Sequence, residues 1–214
     1  RSIGDTIMSM WIDIATLSIF LPYILIGIAF IVIAICDRII LSRRIALLIK
    51  IPIFTILTLC PFLTLFDIPI YNVDKLSAFF SLLAGFVGIA TSIYVESYEI
   101  YKYEGRALKT LIDLFALATY GTFSSPHLGA FIVWWLLAEV LGFFTIIFEV
   151  ERRTLAAGIR YLAVSMVPAD IALLTILSLT ASQWSLSEAF TRPITDISIL
   201  HIPAPLAIII LIGF

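Results

Sequence analysis

The sequence predicts an all-α fold, a polytopic transmembrane bundle of about seven spans with its N-terminus outside. Hydrophobic residues fill 62% of its 214 positions and charged residues 13%, against about 45–50% and about 25% in soluble domains. Mean hydropathy is +1.13. A soluble domain of this size could not hide so much apolar surface, because small domains leave a large share of their surface in water. The apolar residues also fall in runs near the roughly 20 residues that a hydrocarbon core of about 30 Å requires of a helix. Finally, the basic residues are unevenly distributed between alternate connections, which fixes an orientation.

The first run covers Ile12–Cys36 and contains Pro22; the second covers Arg44–Phe66 and contains Pro52 and Pro61. The third spans Lys75–Tyr101, the fourth Leu108–Phe123, the fifth His127–Phe148 and the sixth Thr154–Leu179. A seventh begins near Ile197 and is apolar to Phe214, so the helix is expected to continue in a longer parent. Residues 1–214 read as a single transmembrane domain, with no linker and no repeat of 20–50 residues.

Arg38, Arg43, Arg44 and Lys50 flank the first connection, Lys102, Arg106 and Lys109 the third, and Arg152, Arg153 and Arg160 the fifth. Only Arg1, Lys75 and Arg192 fall on the other side, so ten of thirteen basic residues share one face. The positive-inside rule then places connections 37–44, 102–107 and 149–154 in the cytoplasm. In the third span Ser77, Ser81, Gly85, Gly88 and Ser92 recur every three or four positions and make a face for close helix approach. Glu96 and Glu99, among Tyr94, Tyr98, Tyr101 and Tyr103, mark its cytoplasmic end, and those tyrosines read as an interfacial belt. Asp74, just before its start, is placed to cap it.

Two carboxylates lie deep in apolar runs. Glu139, in VWWLLAEVLGFFTII, has only aromatic and aliphatic neighbours in sequence. A charge at mid-bilayer costs about 2.5–3.5 kcal/mol on insertion scales, so it needs a partner, a wet cavity or a proton. It is either a proton-relay residue or a protonated group bonding a neighbouring helix. Asp170 follows Pro168 in YLAVSMVPADIALL. Pro168 lacks an N–H and frees the carbonyl of Val164, so this stretch is expected to be bent and locally polar. Counted from the hairpin connecting the two helices, Glu139 and Asp170 sit at similar depths, within about a turn. His201, near the outer start of the last run, is a weaker proton-transfer candidate. His127 reads as interfacial, and Asp113 as a surface partner of Lys109 one turn before it.

The remaining chemistry is sparse. Cys36 and Cys60 sit far apart in apolar runs and match no metal or disulfide pattern. No GxSxG, P-loop, HExxH, CxxC or dinucleotide glycine pattern occurs. No cofactor or metal is therefore expected, and a net charge of −2 without a basic run gives no reason to expect nucleic acid. The predicted surroundings are lipid.

Several stretches together resemble the Mrp-antiporter-like, proton-pumping membrane subunits of respiratory complex I, membrane-bound hydrogenases and related complexes. VDKLSAFFSLLAGFVGIATSIYVESY, from Val73 to Tyr98, is similar to that family's third-helix signature, through Asp74, Leu76, Ser77, Phe79, Phe80, Ile93, Tyr94 and Tyr98. WWLLAEVLGFFTII resembles its fifth helix, with Glu139 on the family's glutamate and Ala138 where a tryptophan is usual. AAGIRYLAVSMVPADIALLTI resembles its sixth helix, with Asp170 on the aspartate and Ala169 where a glycine is usual. IPAPLAIIILIGF resembles the opening of the seventh, which in the family continues into a lysine that pairs with the glutamate. The resemblance implies the N-terminal portion of an antiporter-like subunit moving protons or sodium through Glu139 and Asp170. It further implies other membrane subunits as partners, redox chemistry confined to them, and a cell or inner mitochondrial-type membrane. The alternatives are a degenerate, non-conducting structural subunit of such a complex and an unrelated small carrier.

Overall fold

The computed structural model describes all residues except 1, 2, 40, 41, 69, 72, 103–106, 195–202 and 214. His201 and the beginning of the seventh run lie outside the described residues, as do Tyr103 and Arg106. Among the described residues every regular element is helical. In chain order these are α1 (Ile3–Ile39), α2 (Arg43–Leu65), α3 (Lys75–Lys102), α4 (Leu108–Phe123), α5 (Leu128–Ile146), α6 (Arg152–Tyr161), a π-helical segment (Leu162–Met166), α7 (Val167–Gln183), α8 (Leu186–Thr191) and α9 (Ala204–Gly213). Five stretches are long and apolar enough to cross a membrane: Phe20–Ile39, Arg44–Leu65, Lys75–Tyr98, Leu128–Ile146 and Arg152–Gln183. The fourth predicted span is a helix of 16 residues, about 24 Å at 1.5 Å per residue and so shorter than the hydrocarbon core. The described part of the seventh is 10 residues long.

The chain divides into two compact units, Arg1–Pro126 and His127–Phe214. In the first, α1 packs on α2, α2 on α3, α3 on α4 and α4 back on α1, closing a four-helix ring. Its polarity is inverted relative to a soluble bundle. On α1, Ile24, Ile28, Ile31 and Ile35 face outward while Ile26, Ala29 and Ile33 face inward. The polar residues Lys50, Ser81, Ser92, Glu96 and Asp113 are buried instead. Such an arrangement suits lipid, where apolar side chains gain nothing by hiding and polar ones must be satisfied internally.

The small-residue face of α3 meets α2. A Cβ at Gly85 would overlap the Thr58 side chain, and one at Gly88 would overlap the Phe54 ring. Overpacking a close contact costs typically about 1–3 kcal/mol. Gly88→Leu is therefore expected to destabilise the unit by about that amount in thermal unfolding, while Val87→Leu, on the exposed face, leaves it unchanged. Equal stability of the two variants would contradict this packing. Asp74 caps α3 as the sequence suggested, its Oδ1 accepting a bond from the Ser77 N–H at 3.1 Å. At the same end of the unit Tyr120 donates to the Leu57 carbonyl at 2.6 Å, its oxygen 3.2 Å from the Tyr71 hydroxyl.

In the second unit α5 packs against α6 and α8. Gly129 lets Phe190 of α8 approach the first turn of α5, where a Cβ would crowd it. Leu128 N–H donates to the Arg192 carbonyl at 3.2 Å. A Ser185–Glu188 capping box starts α8, and the Ser185 backbone N–H holds the Glu188 carboxyl below the ordinary range. The disturbance expected at Pro168 takes a specific form, a π turn over Leu162–Met166. The Val167 N–H reaches back five residues to the Leu162 carbonyl, and Pro168 enters the first turn of α7, where its missing N–H is tolerated.

Candidate functional site

In the second unit the residues singled out in sequence come together. Glu139 lies eleven residues after Leu128 and seven before Ile146 in α5, close to mid-helix. It is buried, with 7% of its surface exposed. The Asp170 carboxyl, from the first turn of α7, is within hydrogen-bonding reach of it, and the Trp135 indole, one turn earlier on α5, lies beside it. Tyr161, the last residue of α6, stands close enough to interact electrostatically with Glu139. The π turn separates Tyr161 from Asp170 on the same continuous run. Glu139 Oε2 and Asp170 Oδ1 are both buried with no partner in hydrogen-bond geometry. Two carboxylates this close in a low dielectric repel strongly when both are charged, and the Trp135 indole is the donor beside Glu139.

His127 precedes α5 as its N-cap residue and forms an isolated bridge with Pro193. It is half-buried, and burial holds its imidazole below the usual histidine range.

The first unit holds a second polar cluster, which sequence reasoning did not assemble. Lys50 of α2 is fully buried, and its Nζ lies 2.6 Å from Asp37 Oδ1 of α1, 2.7 Å from Glu96 Oε1 of α3 and 2.7 Å from Asp113 Oδ2 of α4. Each of the four helices supplies one member. Ser92, one turn above Glu96 on α3, donates to Asp113 Oδ1 at 2.6 Å. Lys109 stands 3.9 Å from Asp37 Oδ1 and 3.8 Å from Glu96 Oε2, with 17% of its side chain exposed. Lys50 is seven residues inside α2 from Arg43 and Glu96 six residues inside α3 from Lys102, which puts the cluster about 10 Å inward from that end of the unit.

Three readings are corrected by this arrangement. Lys50 is not an interfacial flank of the first connection; it is the buried counter-ion of three carboxylates. Asp113 is not a surface partner of Lys109, because its side chain is fully buried and turned to Lys50 and Ser92. Glu96, read as a marker of the cytoplasmic end of the third span, is instead turned into the unit, with only 3% of it exposed. The signal available in sequence was depth: these residues sit one to two turns inside their helix ends, beyond the immediate flanks. With Lys50 removed from the count, nine of the other twelve basic residues still flank the first, third and fifth connections in sequence. No set of His, Cys, Asp and Glu among the described residues is arranged to hold a metal ion. No protein-family model, curated protein or solved structure matches the chain.

Proposed function

We propose that this chain is a proton- or sodium-translocating, antiporter-like membrane subunit of a multisubunit respiratory or hydrogenase-type complex, with Glu139 and Asp170 as its ion-exchanging pair. The observation that carries this reading is the buried approach of these two carboxyl groups, each with an oxygen lacking a donor, inside membrane-length helices. Ionisable groups at such depth are costly and mark ion paths or proton relays by default. One proton satisfies both oxygens, and gaining or losing it changes the charge of the pair by one, which is the event an ion-transfer step requires. The neighbouring π turn adds a local departure from α geometry of a kind frequent at functional sites.

In this reading the chain performs no bond chemistry and holds no cofactor. Partner membrane subunits deliver the driving force, and redox reactions take place elsewhere in the complex. The basic connections 37–44, 102–107 and 149–154 face the cytoplasm of a cell or inner mitochondrial-type membrane, with the N-terminus outside. The test is Glu139→Gln in the assembled complex, reconstituted into sealed vesicles. Proton or sodium uptake is expected to fall to background with assembly retained; uptake at the wild-type rate would overturn the proposal.

A further inference from the structure

Asp170 reaches Glu139 from a helical run whose register is broken by the π turn over Leu162–Met166. Gly158 of α6 marks the face of this run that lies against α5. A Cβ there would overlap Ile147 and crowd the Phe143 ring, and Phe143 stands one turn after Glu139 on α5. Tyr161, three residues after Gly158 and so on the same face, accordingly comes close to Glu139. Asp170 is twelve residues beyond Gly158. In an unbroken α-helix that separation is about three and a third turns, which would point Asp170 about 120° away from the α5 face. Ala169, one residue earlier, would instead come round to within about 20° of it. The π turn removes the discrepancy. Its bond from the Val167 N–H to the Leu162 carbonyl spans five residues, one more than an α turn, and sets every later residue back by about 100°. Asp170 then takes the direction that Ala169 would have had. At a side-chain radius of about 5 Å, such a rotation moves a carboxyl group by about 8 Å, which decides whether it meets Glu139.

We propose that this π turn is the positioning device of the carboxyl pair: by taking up one extra residue it turns Asp170, in place of Ala169, toward Glu139. The assignment rests on the transport reading above and names what holds its two groups in register. The sequence around the turn suits that task. Pro168 has no N–H and so no bond to the Val164 carbonyl to lose, which leaves the ladder weakest where the extra residue enters. Ala163, Val164 and Ser165 within the turn are exposed, so packing of these side chains does not impose it. Pro168 and the turn contribute no ionisable group of their own; they act through the direction they give Asp170.

Cysteine cross-linking of the full chain in lipid nanodiscs reads this register without any transport. With Cys36 and Cys60 replaced by alanine, Glu139→Cys is combined with Ala169→Cys, Asp170→Cys or Ile171→Cys and treated with a short bifunctional methanethiosulfonate. Asp170→Cys is expected to cross-link several-fold faster than Ala169→Cys; equal rates, or a faster Ala169→Cys, overturn the proposal. Deleting Val164, whose side chain is exposed, removes the extra residue. The turn should then close to α geometry, with Asp170→Cys still the fastest to react. A shift of the fastest reaction to Ile171→Cys would mean that the deletion simply rotates the helix, and overturns the proposal. The comparison in the undeleted chain decides the matter where the deletion variant does not assemble. Uptake into sealed vesicles supplies the functional readout. With both carboxyl groups present, the Val164 deletion is expected to keep transport within several-fold of the wild type. Ala169→Asp combined with Asp170→Ala, which carries the carboxyl about 100° round the helix, is expected to lose it; transport at the wild-type rate in that exchange overturns the proposal. Failure of the cross-linking pattern with Glu139→Gln still inactive in transport removes the positioning assignment alone. The expected pattern with full transport in Glu139→Gln removes the transport assignment alone.

Discussion

Lys50→Met is expected to be the most destabilising single substitution in the first unit, by about 3–5 kcal/mol, the usual cost of removing one partner from a buried ion pair. The change leaves Asp37, Glu96 and Asp113 with side-chain exposures of 1%, 3% and 0% around an uncharged thioether. Lys109 stands 3.9 Å from Asp37 and 3.8 Å from Glu96, beyond direct hydrogen-bond distance from either. Asp113 would retain Ser92 alone. The penalty comes from the stranded charges, so neutralising them should reverse it. Lys50→Met combined with Asp37→Asn, Glu96→Gln and Asp113→Asn is expected to recover most of the lost stability, since replacing a whole buried ionic group by neutral residues is often neutral or better. Lys50→Arg should recover less, because a planar guanidinium presents its donors in a fork and cannot converge on three oxygens from three helices as an ammonium does. Thermal unfolding in lipid nanodiscs measures all three. A Lys50→Met variant as stable as the wild type would mean that the cluster is not held together by its lysine.

The difference between the two units in what could be read from sequence has a physical origin. Glu139 and Asp170 were legible because each stands alone in a long apolar run, where depth follows from counting residues at a fixed rise per residue. The hairpin joining their helices then relates the two depths, so their proximity needed only local connectivity. Pro168 announced a break for an equally local reason, a missing N–H, although not that it would be a π turn. The stripe from Ser77 to Ser92 predicted a close helix contact but could not name α2 as the neighbour. For the Lys50 cluster, counting was not enough. Asp37, Lys50, Glu96 and Asp113 each lie near a helix end, where charged residues are ordinary and solvated. What distinguishes them is azimuth: all four point into the ring formed by α1–α4, and helix rotation follows from packing rather than from distance along the chain. Local reasoning therefore paired Asp113 with Lys109 four residues away and missed Lys50, which is 63 positions distant in sequence and 2.7 Å distant in space.

A Glu139 and Asp170 double-mutant cycle in transport is the other prediction with a large expected effect. If the two carboxyl groups act as one proton-sharing unit, Glu139→Gln and Asp170→Asn should each lower uptake by at least about a hundredfold, the lower range for losing a positioned proton-transfer group. The double variant should then be no slower than the slower single one, because residues that act as a unit lose their joint contribution once. Independent sites would instead multiply their effects, giving roughly ten thousandfold by the same measure. The neutral amides keep the shape of the pair, so assembly and thermal stability are expected to change little, which separates this result from the Lys50 series. The environment also predicts which single change is milder. Asp170 is only half-buried and enters α7 beside the π turn, where water or another donor can compensate. Glu139 is 7% exposed, with the Trp135 indole against it, so Glu139→Gln should be the more severe. Multiplicative losses would show that Glu139 and Asp170 act on separate steps and that their close approach across α5 and α7 serves packing alone.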